Sequence, residues 1–288
     1  MPDQDPHDPD RGVDDADDEV VVTLAHRRPV DDATSRRANR ADWDRSADDY
    51  QAEHGAFLGD DGFVWGPEGR TEEELGLLGD VRDRDVLEIG AGAAQCSRWV
   101  AARGGRPVAL DLSFRQLQHA RRIDAARSSV VPLVQAGATD LPLGDDTFDL
   151  AFASYGALPF VADAGRALGE VARVVRPGGR FVFSLTHPVR WAFPDVPGPE
   201  GLVASQDYWD ETPYVEVDGA TGEVGYVEHH RTLGTWVRLL TASGLALVDL
   251  VEPTWPATND ATWAGWSPLR GRVLPGTAIF VTVVAGRS

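Results

Sequence analysis

The segment from residue 86 to residue 102 constrains the fold of this chain more than any other. A mostly aliphatic run at 86–89 ends in Gly90-Ala91-Gly92 and is followed by residues typical of a helix, 94–102. In a doubly wound α/β sheet, a strand, a Gly-x-Gly turn and a helix in this order bring the backbone close to a bound nucleotide. Glycine adopts the unusual turn dihedrals and lacks the Cβ that would keep a ligand away. The segment therefore predicts a nucleotide site at the end of a buried strand.

The next predicted strand, residues 107–111, ends in an acidic residue about twenty residues further on, where a carboxylate can accept ribose hydroxyls. The dinucleotide fingerprint requires a small residue at its sixth position, but Gln95 stands there. Glu88 directly precedes the turn, and its carboxylate would repel a pyrophosphate. A ligand with a cationic end and no phosphate, such as S-adenosylmethionine (SAM), therefore suits the site better than NAD.

Five short motifs follow one another along the chain. They are Glu-Ile-Gly-Ala-Gly at 88–92, Leu-Asp-Leu-Ser at 110–113, Gly-Ala-Thr-Asp-Leu-Pro-Leu at 137–143, and the longer segments 145–155 and 170–184. Together they resemble the class I SAM-dependent methyltransferases, in the broad group of ubiquinone- and menaquinone-biosynthesis-like enzymes. The resemblance extends over residues 43–284. It implies an α/β, Rossmann-like, doubly wound sheet of seven strands, mostly parallel with an antiparallel last strand and with helices on both faces.

The same resemblance implies SAM as the cofactor and methyl transfer to a small-molecule acceptor as the activity. The glycine turn would face the methionine part of SAM, the acid of the second strand would take the ribose hydroxyls, and the residues after the second to fourth strands would surround the adenine and close the site. A predicted helix at 41–55 either packs on the domain or covers the methionine end. The expected cofactor-binding residues are Tyr50, Glu88, Gly90, Ala91, Gly92, Asp111, Leu112, Ala138, Thr139, Ser154 and Tyr155.

Two positions depart from the family pattern. Gly137 stands where an acid commonly precedes the residue matched to Ala138, so the adenine amino group would depend on backbone acceptors or on Asp140. The third small residue of the glycine turn is Ala94 rather than glycine, which narrows the turn without blocking SAM. Neither departure changes the expected cofactor.

Three histidines are candidate general bases. An O–H or activated C–H nucleophile needs a base, whereas an amine must arrive deprotonated. His187 directly follows the predicted fifth strand, and His229 and His230 come next; the neutral imidazole suits this task. Alternatively, His187 orders the turn before Pro188, and the other two pair with carboxylates. The spacing of the histidines does not resemble a metal-ligand motif, so we predict no metal.

Composition divides the chain into a tail and one domain. Residues 1–38 are rich in Asp and Pro and are expected to form a disordered acidic tail. Residues 39–288 are expected to form the methyltransferase domain, with a substrate-side insertion at about 186–232 that contains a hairpin at 214–224. An aromatic loop is expected at about 254–275. Many of the 9 tryptophans lie in the insertion and this loop, which indicates either a flat, partly aromatic acceptor or only a closed lid core.

Charge and composition exclude several classes of partner. The net charge is -19 and the chain contains no lysine, which disfavours binding to nucleic acid or anionic membranes. The single cysteine excludes a disulfide framework. No run approaches the roughly twenty apolar residues of a membrane span, and the first residues lack the features of a signal peptide. A cytoplasmic location is the expectation.

Two other functions stay open at this point. A SAM-binding protein that has lost catalysis could act as a regulatory or interaction partner, because intact binding motifs indicate binding rather than turnover. An NAD-dependent oxidoreductase is opposed by Gln95 and Glu88. The sequence leaves the acceptor, the choice among O-, N- and C-methylation, and the oligomeric state undetermined.

Overall fold

The computed structural model describes residues 23–286, which form ten strands and seven α-helices. The strands are β1 (Thr23–Arg27), β2 (Asp85–Ile89), β3 (Arg106–Asp111), β4 (Leu133–Gln135), β5 (Phe148–Ala153), β6 (Val175–Thr186), β7 (Tyr214–Asp218), β8 (Val224–Glu228), β9 (Leu245–Val251) and β10 (Thr277–Val284). The helices are α1 (Asp32–Leu58), α2 (Glu72–Leu75), α3 (Gln95–Ala102), α4 (Phe114–Arg127), α5 (Ala164–Val174), α6 (Leu233–Ala242) and α7 (Pro268–Gly271).

A seven-stranded sheet with the order β4-β3-β2-β5-β6-β10-β9 forms the centre of the molecule. The pairs β2–β3, β3–β4, β2–β5 and β5–β6 are parallel, whereas β10 runs antiparallel to both β6 and β9. This topology confirms the predicted doubly wound sheet with its antiparallel last strand. The strand order reverses between β2 and β5, and in open α/β sheets ligands bind beyond the carboxyl ends of the strands at such a point.

Apolar side chains cover both faces of this sheet. On one face, α5 buries residues at helical spacing, among them Ala164, Leu168 and Val171, against β6 and β10. On the other face, an aromatic group that includes Trp65 and Phe152 packs over β2 and β5. Burial on two faces holds the ends of β2 and β5 rigidly, and this rigidity is what a site between them requires.

A second, three-stranded sheet has the order β1-β7-β8. The predicted hairpin is present as β7 and β8, and β1 extends it by pairing antiparallel with β7. The helix predicted at 41–55 is longer, because α1 begins after the N-cap Asp31, whose side chain accepts from the Thr34 amide. The expectation of disorder is therefore wrong for residues 23–38; residues 1–22 lie outside the described part of the chain. The short β1 is ordered because the hairpin supplies its hydrogen-bond partners.

The predicted insertion and the predicted aromatic loop lie in different places. The loop after β9 crosses the carboxyl end of the large sheet and includes the short α7. The insertion between β6 and α6 packs instead against α1, through a small core of Ala38, Val215 and Val227. Among residues 23–286, no helix is long and apolar enough to cross a membrane.

Candidate active site

A cavity lies where the strand order reverses, beyond the carboxyl ends of β2, β3 and β5. The empty space among its lining residues is about 1320 Å³ when the part that is open to solvent is included. The glycine turn after β2 and the loops after β3, β4 and β5 form its floor and walls, and α1 with the loop after β9 covers it. Every predicted cofactor-binding residue lines this cavity: Tyr50, Glu88, Gly90, Ala91, Gly92, Asp111, Leu112, Ala138, Thr139, Ser154 and Tyr155.

The glycine turn uses both properties of glycine. Gly90 and Gly92 have φ angles of 72° and 53°, in the left-handed region that favours glycine. A Cβ on Gly90 would also lie 2.7 Å from the Cβ of Ala157, in the loop after β5. The amides of Gly90 and Ala91 both donate to the Leu110 carbonyl, at 2.8 and 3.0 Å. These hydrogen bonds hold the turn against β3, and the turn lines the cavity with backbone atoms that a ligand can approach.

Asp111 at the end of β3 is oriented by two backbone amides. Its Oδ2 accepts from the Gly92 amide and its Oδ1 from the Ser113 amide, each at 2.7 Å. Burial raises the pKa of Asp111 to about 6, although these amides act in the opposite direction. The carboxylate is therefore fixed between the glycine turn and the adjoining loop, and its role as an acceptor for ribose hydroxyls stays a prediction.

Glu88 at the end of β2 anchors the first turn of α3. Its Oε2 accepts from the amide and the hydroxyl of Ser97, at 2.9 and 2.5 Å. Burial raises the pKa of Glu88 to about 7. The predicted attraction of this acid for a cationic ligand stays a prediction, and the structure adds a second role as a cap for the α3 amides.

Two raised pKa values predict that cofactor affinity depends on pH. Hydroxyl donors and an ammonium group favour the ionised forms of Asp111 and Glu88, so the ligand competes with protons. We expect the affinity for S-adenosylhomocysteine to be highest near pH 8, to fall by up to about tenfold per pH unit below about pH 7, and to fall by up to about a hundredfold per unit below about pH 6, where both carboxylates take up protons. Calorimetric titration at several pH values measures it. Glu88→Gln should remove the upper part of the dependence and Asp111→Asn the lower, whereas a flat wild-type profile would contradict the assignment of both residues.

Ser154 and Tyr155 follow β5 in an unusual conformation. The Ser154 hydroxyl donates to the Val64 carbonyl at 2.6 Å, which ties the preceding loop to the cavity wall. Tyr155 has a φ of 50°, and its amide donates to the Ser184 hydroxyl at 2.8 Å. The Thr186 hydroxyl donates to the Tyr155 phenol at 3.1 Å, and burial raises the pKa of this tyrosine. The strained backbone thus holds a protonated phenol at the cavity.

Helix α1 lies across the cavity because it is bound to the start of α4. The Oδ1 atom of Asp44 accepts from the hydroxyl of Ser113 at 2.7 Å and from the amide of Arg115 at 3.0 Å. One turn further along, Asp48 forms an ion pair with the Arg115 guanidinium. The side of α1 that contacts α4 is therefore polar, whereas the rings of Trp43 and Tyr50 line the cavity.

An aromatic cover closes the cavity opposite the glycine turn. We use this name for Trp43, Tyr50, Tyr155, Phe160 and Trp263, all of which line the cavity. Their ring centroids follow one another at 5.4 Å (Phe160 to Trp43), 5.8 Å (Trp43 to Tyr50), 6.2 Å (Tyr50 to Trp263) and 6.4 Å (Trp263 to Tyr155), all edge to face. Sequence reasoning missed Trp43 as a site residue, although its spacing from Tyr50 by two helical turns was a usable signal.

Trp263 reaches the cover from the loop after β9. Its indole stacks on His54 of α1, with centroids 3.8 Å apart and planes at 17°. The loop is held by Asn259, whose side-chain amide donates to the carbonyls of Pro67 and Glu68, both at 3.0 Å. Of the two predicted additions, this loop alone contributes to the cavity; residues 186–232 are not among its lining residues. The insertion supports Phe160 from behind, through an edge contact with Tyr226 at 5.6 Å.

The three candidate bases lie outside the cavity. His187 binds Glu252 through Nε2 at 2.8 Å, and its Nδ1 accepts from the Val189 amide, so it orders the turn before Pro188. His229 binds the Ser35 hydroxyl at 2.9 Å, and His230 binds the Tyr208 carbonyl at 2.7 Å. Burial lowers the pKa of all three, that of His229 to about 4. The structure therefore does not support the catalytic prediction; these rings join the insertion to α1 and β9.

One expectation about the adenine end also needs correction. Asp140 does not line the cavity: its carboxylate binds Arg166 at 2.5 Å, and its side chain is 62% exposed. It cannot replace the acid that is missing at Gly137. Among residues 23–286, no group of three or more histidine, cysteine or acidic side chains is arranged to hold a metal ion.

Residues 87–183 match the family model described as a methyltransferase domain. This segment is similar to a methyltransferase domain. It includes β2 to β5 and most of β6, and thereby the glycine turn, Asp111 and the loop after β5. The match confirms the resemblance to the SAM-dependent methyltransferases and, with it, SAM as the predicted cofactor. It favours that assignment over an NAD-dependent oxidoreductase.

Individual proteins agree with this assignment of the domain. The chain is 39% identical over 110 residues to a malonyl-[acyl-carrier protein] O-methyltransferase of Pseudescherichia vulneris, and 41% identical over 97 residues to a demethylmenaquinone methyltransferase of Clavibacter sepedonicus. These matches cover 38% and 34% of this chain, and the chain spans only 42% and 39% of the two relatives. A SAM-dependent methyltransferase structure from Mesorhizobium loti is 28% identical, with a TM-score of 0.58, covering 76% of this chain and 100% of that one.

Proposed function

We propose that this protein transfers a methyl group from SAM to a small acceptor that contains a flat, aromatic part. The observation that carries the proposal is one continuous cavity with a nucleotide cradle on its floor and an aromatic cover above it. The residues present fit the cofactor, because the space beside Gly90 would be filled by any Cβ and the Asp111 carboxylate is held ready by two amides. The name of the demethylmenaquinone relative supports an aromatic acceptor.

The protein's contribution to this reaction is mainly alignment. SAM supplies a methyl group on a sulfonium, which is its own leaving group. Asp111 and the glycine turn would fix the nucleoside part, while Tyr50 and Tyr155 would flank the reacting centre from α1 and from the end of β5. Holding two reactants in line at near-attack distance replaces much of the entropic cost of their encounter. The edge-to-face rings of the cover would orient a flat acceptor in the remaining space.

The groups at the cavity restrict the kind of nucleophile. No histidine is among its lining residues in the described chain, and burial raises the pKa of both Tyr50 and Tyr155. At neutral pH both phenols stay protonated and act as hydrogen-bond donors. The carboxylates of Glu88 and Asp111 also line the cavity, but we assign them to the cofactor. We therefore propose an acceptor that loses its proton without help from the protein, such as an acidic phenol, an enolised hydroxyquinone or a neutral amine.

Binding experiments test the proposal first. Calorimetric titration with SAM, S-adenosylhomocysteine and NAD in parallel should show micromolar binding of the first two and none of NAD. Transfer of a labelled methyl group to a panel of phenols, hydroxyquinones and aryl amines should then identify the acceptor class. Binding of NAD alone would overturn the proposal, and cofactor binding without transfer to any panel member would favour the alternative of a SAM-binding regulatory protein.

Trp263 allows the acceptor side to be tested apart from the cofactor side. We expect Trp263→Ala to raise KM for the acceptor found in the panel by about tenfold or more, since the loss of a buried aromatic contact costs roughly 1.5–3 kcal/mol. Affinity for S-adenosylhomocysteine should change little. Trp209, which is 76% exposed and outside the cavity, provides the matched control Trp209→Ala. An equal effect of both substitutions would contradict the acceptor role of the aromatic cover.

We further propose that residues 23–286 act as one domain whose acceptor side is completed by the loop after β9 rather than by the insertion. This revises the expected domain, which was to begin at residue 39. The absence of nucleic-acid partners stays a prediction from the net charge of -19.

A further inference from the structure

The adenine end of the cavity is built without an acid from the loop after β4. Gly137, Ala138 and Thr139 line the cavity there, and none of them carries a carboxylate. Asp140, the next residue, binds Arg166 through one carboxylate oxygen, lies 3.9 Å from the Arg36 guanidinium through the other, and is not among the cavity residues. Adenine differs from hypoxanthine by a 6-amino donor in place of a 6-oxo acceptor, so a site that distinguishes them needs an acceptor from elsewhere.

Helix α1 packs beside Gly137. A Cβ on Gly137 would lie 3.9 Å from the Cδ of Arg36 and 3.9 Å from the Cδ1 of Leu112, the residue expected against the adenine. The first turns of α1 thus pack beside the predicted base site. From this part of the helix, Asp32, Ser35, Arg36 and Asn39 line the cavity.

Two of these four polar side chains form hydrogen bonds with the insertion. Ser35 binds His229, and Asn39 binds the backbone of Val227 through both its amide oxygen and its amide nitrogen. Asp32 is instead bound to Arg36, whose Nη2 donates to Oδ2 at 2.5 Å. This is the only hydrogen bond of the Asp32 carboxylate that we find within residues 23–286. Arg36 thereby holds the Asp32 carboxylate at the cavity wall, and this carboxylate can accept further hydrogen bonds.

We propose that Asp32 accepts a hydrogen bond from the adenine 6-amino group and so replaces the acid that is absent at Gly137. The inference rests on the proposed cofactor function. Arg36 is a positioning residue: its side chain packs toward Gly137, and its guanidinium fixes the Asp32 carboxylate. The adenine would thus be recognised by the first turn of α1 rather than by a loop of the seven-stranded sheet. This turn is bound to the insertion through Ser35 and Asn39.

A comparison of two ligands tests Asp32 directly. We would titrate the full chain with S-adenosylhomocysteine and with S-inosylhomocysteine, its 6-oxo analogue. The wild type should prefer the adenine ligand by about tenfold or more, as expected for a hydrogen bond to a charged group. Asp32→Asn should bring the ratio of the two dissociation constants close to one, since its amide can also donate to the 6-oxo group. A ratio measured on one preparation is insensitive to partial unfolding.

Asp140→Asn is the matched control, because it removes the same charge from the other carboxylate that pairs with Arg36, at 3.9 Å, while Asp140 is not among the cavity residues. This variant should keep the wild-type ratio. The proposal is overturned if Asp32→Asn keeps the preference, if Asp140→Asn abolishes it, or if the wild type does not distinguish the two ligands. Wild-type protein that binds neither ligand would instead contradict the proposed function itself, so the two failures are distinguishable.

Discussion

Replacing Gly90 by alanine is expected to reduce affinity for S-adenosylhomocysteine by roughly thirtyfold or more. A residue with a Cβ at the φ of 72° costs about 1–2 kcal/mol. The new Cβ would also lie 2.7 Å from the Cβ of Ala157, and such overpacking typically costs about 1–3 kcal/mol. Relief of the contact requires the glycine turn or the loop after β5 to move, and both of them line the cavity. Calorimetric titration measures the affinity, and thermal unfolding measures how much stability is lost.

Two further alanine substitutions separate the causes. Gly92→Ala shares the positive φ, but its nearest neighbour would be the Gln116 side-chain oxygen at 3.8 Å, so only the conformational cost should remain. Gly169→Ala, in α5 and outside the cavity, has neither a positive φ nor any atom within 4 Å of the new Cβ and should leave affinity unchanged. Similar losses in all three variants would show that the contact with Ala157 is not what shapes the cradle.

Asp111→Asn is expected to weaken cofactor binding by about 1.5–3 kcal/mol, or roughly tenfold to a hundredfold. The carboxylate accepts from the amides of Gly92 and Ser113, and the predicted ribose hydroxyls would take its remaining lone pairs. An asparagine keeps only one acceptor oxygen, so its NH₂ group would face one of these amide donors and lose that bond. Titration with S-adenosylhomocysteine gives the affinity, and thermal unfolding without ligand gives the cost to the fold.

Asp44→Asn is the appropriate control for this substitution. Asp44 lies close to Asp111 and caps the start of α4, but it is not among the cavity residues. The charge of Asp44 raises the pKa of Asp111, so its removal should leave affinity at neutral pH unchanged or slightly higher. If Asp111→Asn bound the ligand as well as wild type does, the ribose would have to be held elsewhere.

The glycine turn and the sheet around it could be predicted because their signals are local. A short apolar run, a turn that only glycine adopts easily and an acid at the next strand end are determined by residues close in sequence. The same holds for the hairpin of β7 and β8 and for the buried stripe of α5. In each case the backbone preference of a segment agrees with its final environment.

The histidines and the start of the domain were misjudged because their surroundings come from distant segments. His229 is about two hundred positions from Ser35, its hydrogen-bond partner, and no spacing rule connects them. The strand β1 looked too short to be ordered, yet the hairpin provides its partners almost two hundred residues later. Topology predicted that His187 would lie near the site, and packing against Glu252 turned its ring away.

The sequence by itself determined the nucleotide-binding half of this protein: the doubly wound sheet, the cradle at Gly90 and the acid at Asp111. Only the tertiary structure decided which side chains complete the cavity. It brought Trp263 from the loop after β9 onto His54, bound Asp140 to Arg166, and placed Arg36, which holds Asp32, beside Gly137. The physical reason is that turn dihedrals and strand ends depend on neighbouring residues, whereas the cover and the α1 wall depend on contacts between segments that are far apart in the chain.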